Sequence, residues 1–562
     1  MTRPRRDPSF PSSLRAWRQV RRLAVPRGWI ERAAERRAAG DWRGACAAAN
    51  VDVAFDLADA GREFGADVRA RLEKDLRHLV PDLLHWHLPR DVTDRGGLTA
   101  LTSGFRVVLA RYGTSPRGPV PALSVTAPPS PSAPQRLTLE FGVAVREWAD
   151  WSVVPYLFDD RHHRGLLGHY GGDVRAPFFA ADGTPRDPAD LPASDLPPSH
   201  LEAGDRAARS ERSALLAERP DGGDEAIAAA FAAAGIGVIV EQRPGGRPTE
   251  RQTWSRLALL AGCAPMLAHQ IERVTGGGTA SLSVRLPDHR FGLHVEAGGR
   301  HRRPLLWVAT PEESRRRRPS PGCWHALPDL ALLRAGLVAP DELHPLVRSA
   351  LFPARPAPDR PAGPPDARLP PPVRVRCQGE WHLVRSGDGG LRIPHADEER
   401  RREQALGAFG GTVNGCFVAH RTWRTGTGWL PRALRAHRRE VFLRAAHGDT
   451  EGVLRLLDAG LDPRVRDGRR WTLLHALYAM DHEVLLPRLL DAGLDLDATD
   501  CEGLTPVLVA VLNHGSPAFV RALLDAGASP RTPDGAARAA GRPDTLPKAI
   551  ERAKREDLEF VL

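Results

Sequence analysis

A short string of residues recurs at a nearly constant interval in the last quarter of the chain. Leu-Leu-Asp-Ala-Gly occurs three times, and the copies end at Gly460, Gly493 and Gly527, at intervals of 33 and 34 residues. A fixed period of this size is the signature of an array of stacked supersecondary units. Because a unit this short cannot bury its apolar face alone, neighbouring units must pack against one another.

Two further markers keep the same period. An aspartate opens each unit, at Asp467, Asp500 and Asp534, and Thr472 is followed by Thr505 after 33 residues. Agreement between independent markers makes chance a poor explanation of the period. The polar stretch around each aspartate predicts a turn between one unit and the next.

The pattern inside one unit predicts a pair of helices. Thr472 can cap the first turn of a short helix over residues 473–480. A second helix is predicted over residues 483–492, because apolar side chains recur along one face. Gly493 can then adopt the left-handed conformation that ends a helix. In the next unit, Ser516 followed by a proline is a strong helix start.

These units resemble ankyrin repeats. Thr472-Leu473-Leu474-His475 stands where that family usually has Thr-Pro-Leu-His, and Thr505-Pro506-Val507-Leu508 keeps the proline of the pattern. Asp500 and Gly503 match the turn residues of the family, whereas Arg470 occupies the glycine position one unit earlier.

The resemblance covers residues 437–562. It implies helix pairs that stack side by side, with an N-terminal capping unit at 439–467 and a charged, degenerate cap at 535–562. The expected fold class of the whole chain is an α+β N-terminal region followed by an all-α ankyrin-repeat solenoid. Ankyrin repeats bind other proteins, so the resemblance implies a protein-binding module.

The resemblance also implies which residues contact a partner, because the family binds through its turn tips and the inner face of each first helix. The predicted protein-binding residues are His447, Arg469, Trp471, Met480, Glu502, Leu504 and Asn513. A tryptophan beside arginines is a pair that anchors interfaces. Alternatively, Trp471 packs on the neighbouring turn. His475 is expected to tie adjacent turns together rather than to act as a catalyst.

The first 436 residues divide into segments of different pattern. The predicted segments are a helical subdomain at 14–90, an α+β domain of unknown function at 91–352, a proline-rich linker at 353–372, and a small β unit plus basic helical segment at 373–436. The whole chain also resembles uncharacterised ankyrin-tailed proteins of GC-rich bacteria, on the phrases at 40–46 and 85–90. No activity follows from that resemblance.

The net charge of +10 is concentrated in two segments. The 79 basic residues of the chain include three lysines, which leaves 76 arginines. Residues 1–40 hold 11 arginines against three acidic residues, and residues 421–439 hold six arginines and no acidic residue. Such segments can bind nucleic acid or an acidic protein. Because aromatic residues for base stacking are few, nucleic-acid binding is not expected, and a solvated tail and a solvated helix are favoured.

Apolar runs and cysteine spacing indicate a cytoplasmic protein. No run of 18 or more apolar residues predicts a membrane span, and no apolar stretch follows the N-terminal arginines as a secretory signal requires. Disulfide scaffolds and zinc ribbons need closely spaced cysteines. The six cysteines lie far apart, at Cys46, Cys263, Cys323, Cys377, Cys416 and Cys501. We therefore expect reduced thiols, no metal and no cofactor.

One polar cluster is the best candidate for chemistry. It contains Asp159, Asp160, His162, His163, His169 and Asp173. A metal site needs two or three such ligands to converge, but adjacent histidines on a strand would point apart and the neighbouring glycines indicate a loop. A solvated loop is favoured, so no catalytic residue is predicted and the chain is not expected to be an enzyme.

These features predict an adaptor or regulatory protein that binds an unidentified protein partner through its C-terminal repeats and has no membrane contact. The alternative is an enzyme, or an effector of a bacterial conflict system, on residues 90–352. A third possibility is nucleic-acid association through the two basic segments.

Overall fold

The structure is a computed structural model in which the chain forms two compact units. It describes residues 14–93, 97–113, 120–143, 149–191, 205–219, 222–240, 250–285, 292–299, 303–309, 320–409, 414–533 and 536–561. Unit 1 comprises the chain up to Val92, Gly104–Ala127 and Leu137–Pro364. Unit 2 comprises Thr93–Ser103, Pro128–Arg136 and Pro365–Leu562.

Unit 1 begins with helices. They are α1 (Leu14–Leu23), α2 (Arg27–Ala38), α3 (Trp42–Ala48), α4 (Leu57–Phe64), α5 (Ala66–His78) and α6 (Pro81–His87). Asp41 and Asp56 begin α3 and α4, because each carboxylate accepts hydrogen bonds from backbone N–H groups of the first turn. Later helices of the unit are α7 (Leu166–His169), α8 (Arg206–Ala217), α9 (Gly223–Ala233), α10 (Glu250–Ala261), α11 (Ala264–Thr275), α12 (Asp329–Arg334) and α13 (Pro345–Leu351).

Nine of the strands described in unit 1 form two mixed sheets. The strands of this unit are β1 (Val51–Val53), β2 (Arg90–Val92), β4 (Arg106–Arg111), β5 (Pro121–Thr126), β6 (Leu137–Val143), β7 (Ala149–Asp150), β8 (Gly237–Val238), β9 (Ala280–Arg285), β10 (Gly292–Ala297) and β11 (Leu305–Ala309), and β3 (Thr99–Leu101) belongs to unit 2. One sheet has the order β1-β6-β5-β4-β7 and the other β8-β11-β10-β9. Helices and sheets together give unit 1 the α+β character that the sequence predicts.

A buried ion pair joins the two ends of unit 1. The guanidinium of Arg21 on α1 donates to Asp329 on α12, with Nε 2.6 Å and Nη2 2.9 Å from the two carboxylate oxygens. Trp86 Nε1 and the Tyr170 hydroxyl donate to the same carboxylate. Arg21 is 1% exposed, so this part of the basic N-terminal segment is packed inside the unit instead of forming a solvated tail.

Unit 2 combines a small antiparallel sheet with a helical array. The sheet contains β12 (Val373–Cys377), β13 (Glu380–Gly387) and β14 (Gly390–Arg392). Helices α14 (Asp397–Ala408), α15 (Gly415–Thr425) and α16 (Arg432–Ala446) lead into α17 (Thr450–Asp458), α18 (Leu473–Ala476), α19 (His482–Asp491), α20 (Pro506–Leu512), α21 (Pro517–Asp525), α22 (Ala536–Ala539) and α23 (Leu546–Ala553). Within the described part of the chain, every helix is too short or too polar to cross a lipid bilayer.

The helix boundaries of the array confirm the pattern read from the repeats. A short 3-10 turn over Leu477–Ala479 continues α18, so that the first helix of this repeat nearly fills the predicted span. Gly493 has φ +74 after α19, the left-handed conformation expected there. The Ser516 hydroxyl accepts a hydrogen bond from Phe519 N at 3.2 Å and caps α21. The chain therefore has an α+β N-terminal region followed by an all-α repeat array.

One hydrophobic core runs through unit 2. Val375 and Val384 of the sheet, Trp423 of α15 and the leucines of the repeats belong to one continuous cluster of buried residues, which extends to Leu558. Since stacked repeats bury their apolar faces only against neighbours, the sheet and α15 serve as the packing partner for the first helices of the array.

Candidate protein-binding surface

The turn between repeats is built around an aspartate. Asp467 Oδ1 accepts hydrogen bonds from Arg469 N and Trp471 N, each at 2.8 Å. Asp500 Oδ1 accepts from Glu502 N at 2.8 Å and Leu504 N at 2.9 Å in the next turn. The two turns have the same geometry because each carboxylate satisfies the backbone N–H groups of its own loop. Asp534, the third predicted turn aspartate, lies outside the described residues.

His475 links one turn to the next. Its Nε2 lies 3.1 Å from Leu504 O, and its Nδ1 accepts from Thr472 N at 3.1 Å. Nε2 therefore carries the proton and donates to the Leu504 carbonyl. The side chain is fully buried, and this burial lowers the pKa of His475 to about 3. A neutral, buried histidine with both nitrogens engaged has a structural role, as the sequence predicts.

Trp471 both packs on the neighbouring turn and faces the surface. Its Nε1 donates to Asp500 Oδ2 at 3.0 Å, so the indole is fixed by the next repeat. The Arg469 guanidinium lies over the indole ring, 4.1 Å from the centroid, in a cation–π contact. The indole is half-buried, which leaves part of the ring available to a partner. The two interpretations of Trp471 are thus compatible.

The seven predicted protein-binding residues differ in their exposure. His447, Met480, Leu504 and Asn513 are buried in the array. His447, Met480 and Asn513 each directly follow the first helix or helical turn of a unit, and Leu504 directly precedes Thr505, which begins α20. Arg469, Trp471 and Glu502 are partly exposed at the turn tips. Any contact with a partner at these positions therefore falls on the turn tips.

A cleft of about 430 Å³ opens beside Trp471. The lining residues are Leu98, Pro131, Ser132, Arg435, Arg438, Arg439, Phe442, Leu443, Ala446, Asp467, Gly468, Arg469, Trp471, Ala476 and Tyr478. All of them belong to unit 2. Its size and mixed apolar and polar lining are typical of a binding pocket. The repeat pattern predicted two of these residues as protein-binding, Arg469 and Trp471. Leu98 and the segment near Pro131 were not predicted, because they are far away in the chain and carry no repeat pattern.

The cleft is strongly basic. Arg435 and Arg439 are exposed on α16, and Arg469 extends from the turn tip. Among the described residues, Asp467 is the single acidic residue in the lining; its Oδ1 accepts from the backbone N–H groups of its own turn, and its Oδ2 lies 3.4 Å from Arg469 Nε. The arginines therefore present positive charge beside the aromatic faces of the cleft.

Residues 441–534 match the family model of ankyrin repeats in three copies. This match agrees with the array of stacked helix pairs that the period and the turn geometry indicate. The match begins within α16 and ends at the third turn aspartate. The chain therefore carries ankyrin repeats in its C-terminal region.

A relative supports the same assignment. An ankyrin repeat-containing protein of Schizosaccharomyces pombe is 35% identical over 69 residues, which is 12% of this chain and 33% of the relative. The chain thus covers about a third of the length of this relative. The similarity therefore concerns a single stretch of each protein.

The polar cluster near residue 160 does not converge in unit 1. Asp159 pairs with Arg161, whereas Asp160 binds Arg37 and His78. His169 is buried, and its Nδ1 lies 3.2 Å from Gln270 Nε2. These side chains point to different partners, so the cluster does not form a shared ligand sphere among the described residues.

A cysteine–histidine pair that sequence spacing did not nominate lies in unit 1. Cys323 Sγ is 3.4 Å from His325 Nδ1. The thiol is completely buried, and burial raises the pKa of Cys323 to about 12. A catalytic cysteine requires an accessible thiolate. The Cys323 thiol is therefore neither accessible to a substrate nor ionised, and a nucleophile would need to be both.

Some arginines of the basic segment at 421–439 bind other groups of the fold and are therefore not free to contact nucleic acid. Arg424 Nε lies 3.0 Å from Asp462 Oδ2, and Arg438 Nη1 donates to the carbonyls of Thr422 and Gly426. Trp423, a candidate for base stacking, is fully buried. Residues 1–13 of the other basic segment lie outside the described residues.

Proposed function

We propose that this chain is an adaptor or regulatory protein that binds an acidic segment of a partner protein in the cleft beside Trp471. The observation that carries the proposal is the juxtaposition of three arginines, Arg435, Arg439 and Arg469, with the partly exposed indole of Trp471. Arginine and tryptophan are enriched among the residues that dominate binding energy. The positive charge of the arginines favours carboxylates of the partner. The aromatic face of Trp471 favours apolar side chains that lie between those carboxylates.

The preformed geometry supports tight binding. Trp471 is held by Asp500, and each aspartate turn is closed by its own hydrogen bonds. A partner therefore meets groups that are already ordered, and binding loses little conformational entropy. The phosphates of nucleic acid would also be attracted by arginines, but few aromatic faces are open for base stacking: among the lining residues, Trp471 and Tyr478 are half-buried and Phe442 is buried.

We further propose that the chain is not an enzyme and that it acts in the cytoplasm. The buried, protonated Cys323 supports the first statement, because the Cys–His pair of unit 1 is inaccessible to a substrate. The six cysteines form no disulfide bonds, which suits the reducing cytoplasm. Unit 1 would then be a second interaction or regulatory region.

A capture experiment with the full-length chain tests the cleft. Trp471→Ala, and separately the double change Arg435→Glu/Arg439→Glu, are expected to weaken capture of the bound proteins. Loss of one central anchor typically costs about 2 kcal/mol or more, which corresponds to roughly 30-fold weaker binding. Captured proteins are identified by mass spectrometry and their affinities measured with purified partners in increasing salt.

Matched controls lie outside the cleft. Trp429 is 53% exposed on the same unit, and Arg421 is an exposed arginine of α15. Trp429→Ala and Arg421→Glu are expected to retain the partners. Equal capture by the wild type and by both cleft variants would contradict the proposal. Loss of capture after nuclease treatment would assign the arginines to nucleic acid instead.

A further inference from the structure

Four side chains that are scattered in the sequence converge in unit 2. Cys377, His382, His395 and Cys416 each offer one sulfur or nitrogen atom, and these four atoms all lie within 4.8 Å of one another. Both cysteines are buried and both histidines are half-buried. The set is two sulfurs and two imidazole nitrogens, which is a common ligand set of structural zinc sites.

A tight hairpin places the first two ligands on one face of the sheet. In the register of β12 and β13, Cys377 is opposite Glu380 and Val375 is opposite His382. Side chains two residues apart on a strand point to the same side. Cys377 and His382 are therefore diagonal neighbours on that face.

A glycine lets the fourth ligand approach. Cys416 stands in the first turn of α15, directly after Gly415, which has φ +61. A Cβ atom on Gly415 would lie 2.7 Å from Cys377 Sγ, closer than any real contact. Because the residue is glycine, the start of α15 packs directly on the end of β12, and the two thiols come together.

The third ligand is oriented by groups outside the cluster. His395 lies between β14 and α14, and its Nδ1 is 3.5 Å from Glu399 Oε2. Its ring packs on Phe417 with the centroids 4.3 Å apart. A carboxylate on the far nitrogen of a metal-binding histidine fixes the tautomer and the ring orientation. His395 therefore directs Nε2 toward the other three ligand atoms.

Three distances between the ligand atoms lie close to those of a tetrahedron. With Zn–S of about 2.3 Å and Zn–N of about 2.05 Å, a regular tetrahedron separates sulfur and nitrogen by about 3.5 Å and two nitrogens by about 3.3 Å. Cys377 Sγ is 3.6 Å from His395 Nε2, and Cys416 Sγ is 3.6 Å from His382 Nδ1. His382 Nδ1 is 3.0 Å from His395 Nε2.

We propose that Cys377, His382, His395 and Cys416 bind one structural zinc ion. Two thiolates and two neutral imidazoles balance the charge of Zn²⁺, and binding releases two thiol protons to solvent. Four protein ligands leave no position for a substrate or water, so the site is structural and not catalytic. The ion joins the hairpin, the segment before α14 and the start of α15, and so fixes the sheet on which the repeats pack.

Elemental analysis of the full-length chain, purified without chelators, tests the site. We expect about one zinc ion per chain, since a closed ligand set binds a single ion. Cys377→Ser, Cys416→Ser and His395→Gln are each expected to lose the ion. Cys501→Ser, at an exposed thiol, and His420→Gln, on α15 but outside the cluster, are expected to keep it.

A second measurement does not depend on variants that fold. Cobalt added to chelator-treated wild-type chain is expected to give the visible absorption of a tetrahedral ion and the near-ultraviolet band of cobalt–thiolate bonds, and zinc is expected to displace both. Chelation is expected to lower the melting temperature. A wild-type chain that holds no ion after zinc is added back, or a Cys377→Ser/Cys416→Ser chain that holds as much zinc as the wild type, would overturn the proposal.

Discussion

Arg470 holds a left-handed backbone, with φ +67, at the position where the next repeat has Gly503, with φ +78. For a residue with a Cβ atom this conformation is unfavourable by about 1 kcal/mol or more. The closed aspartate turn imposes it nevertheless, because Asp467 binds the N–H groups of residues on both sides. Comparison with the family pattern showed an arginine at this glycine position, and the structure shows that the Asp467 turn nevertheless has the same geometry as the Asp500 turn.

Replacing Arg470 by glycine should therefore stabilise the repeats. Arg470→Gly removes the steric cost of the left-handed conformation, and part of this gain is offset by the greater backbone entropy of the unfolded chain. The expected increase in the free energy of unfolding is up to about 1 kcal/mol. Chemical denaturation of wild type and variant measures it. Gly503→Ala is the matched opposite change and should destabilise, since a Cβ atom there would collide with the backbone at Ala536 and Ala537.

At the scale of elements, one repeat is held to the next by polar groups as well as by apolar packing. His475 of α18 contacts the carbonyl of Leu504 before α20, and Trp471 contacts Asp500. The sequence predicted the helices and turns of the array well, because period, caps and turn residues all act locally. It could not show that the inner-face positions His447 and Asn513 are buried, since that depends on how closely neighbouring repeats approach.

Stability of the array should fall in acid through His475. The pKa of this histidine is about 3 in the folded chain and near 6.5 when unfolded, so the unfolded chain binds the extra proton between these values. The contribution is fully present above about pH 6.5 and is lost as the pH falls toward 3. Between pH 7.5 and 5 the loss from this group is about 2 kcal/mol.

Denaturation midpoints at several pH values measure that slope. His475→Gln removes the titrating group, so the variant should be less stable at neutral pH and should lose less stability on acidification. An identical acid dependence in both chains would show that His475 is not the group responsible. His162→Gln, at an exposed histidine of unit 1, serves as the control.

In the whole molecule, contacts between residues far apart in sequence form sites that local sequence patterns could not predict. The four ligands at 377, 382, 395 and 416 have no short cysteine spacing, and the expectation of no metal was drawn from that spacing. A cysteine five residues before a histidine, across a two-residue hairpin turn, was the available signal. The pairing of α15 with β12 that completes the set depends on tertiary packing around Gly415.

The Arg21–Asp329 pair is a second long-range contact, across 308 residues of unit 1. Breaking one partner of a buried ion pair leaves an uncompensated charge and typically costs about 3–5 kcal/mol. Arg21→Met is therefore expected to lower the stability of unit 1 strongly. Thermal unfolding monitored by tryptophan fluorescence measures the loss. Arg36→Met, at an exposed ion pair on α2, should have almost no effect.

Because the core of unit 2 is continuous, these repeats cannot be transferred to another protein on their own. A gene fragment that encodes residues 441–534 alone would transfer three recognisable repeats without the strands and helix that cover their first apolar face. Such a fragment would arrive in a new protein with an uncovered, aggregation-prone end. Recombination that preserves folding must therefore include the upstream sheet together with the repeats. The piece that can be transferred thus begins well before residue 441, where the recognisable repeats begin.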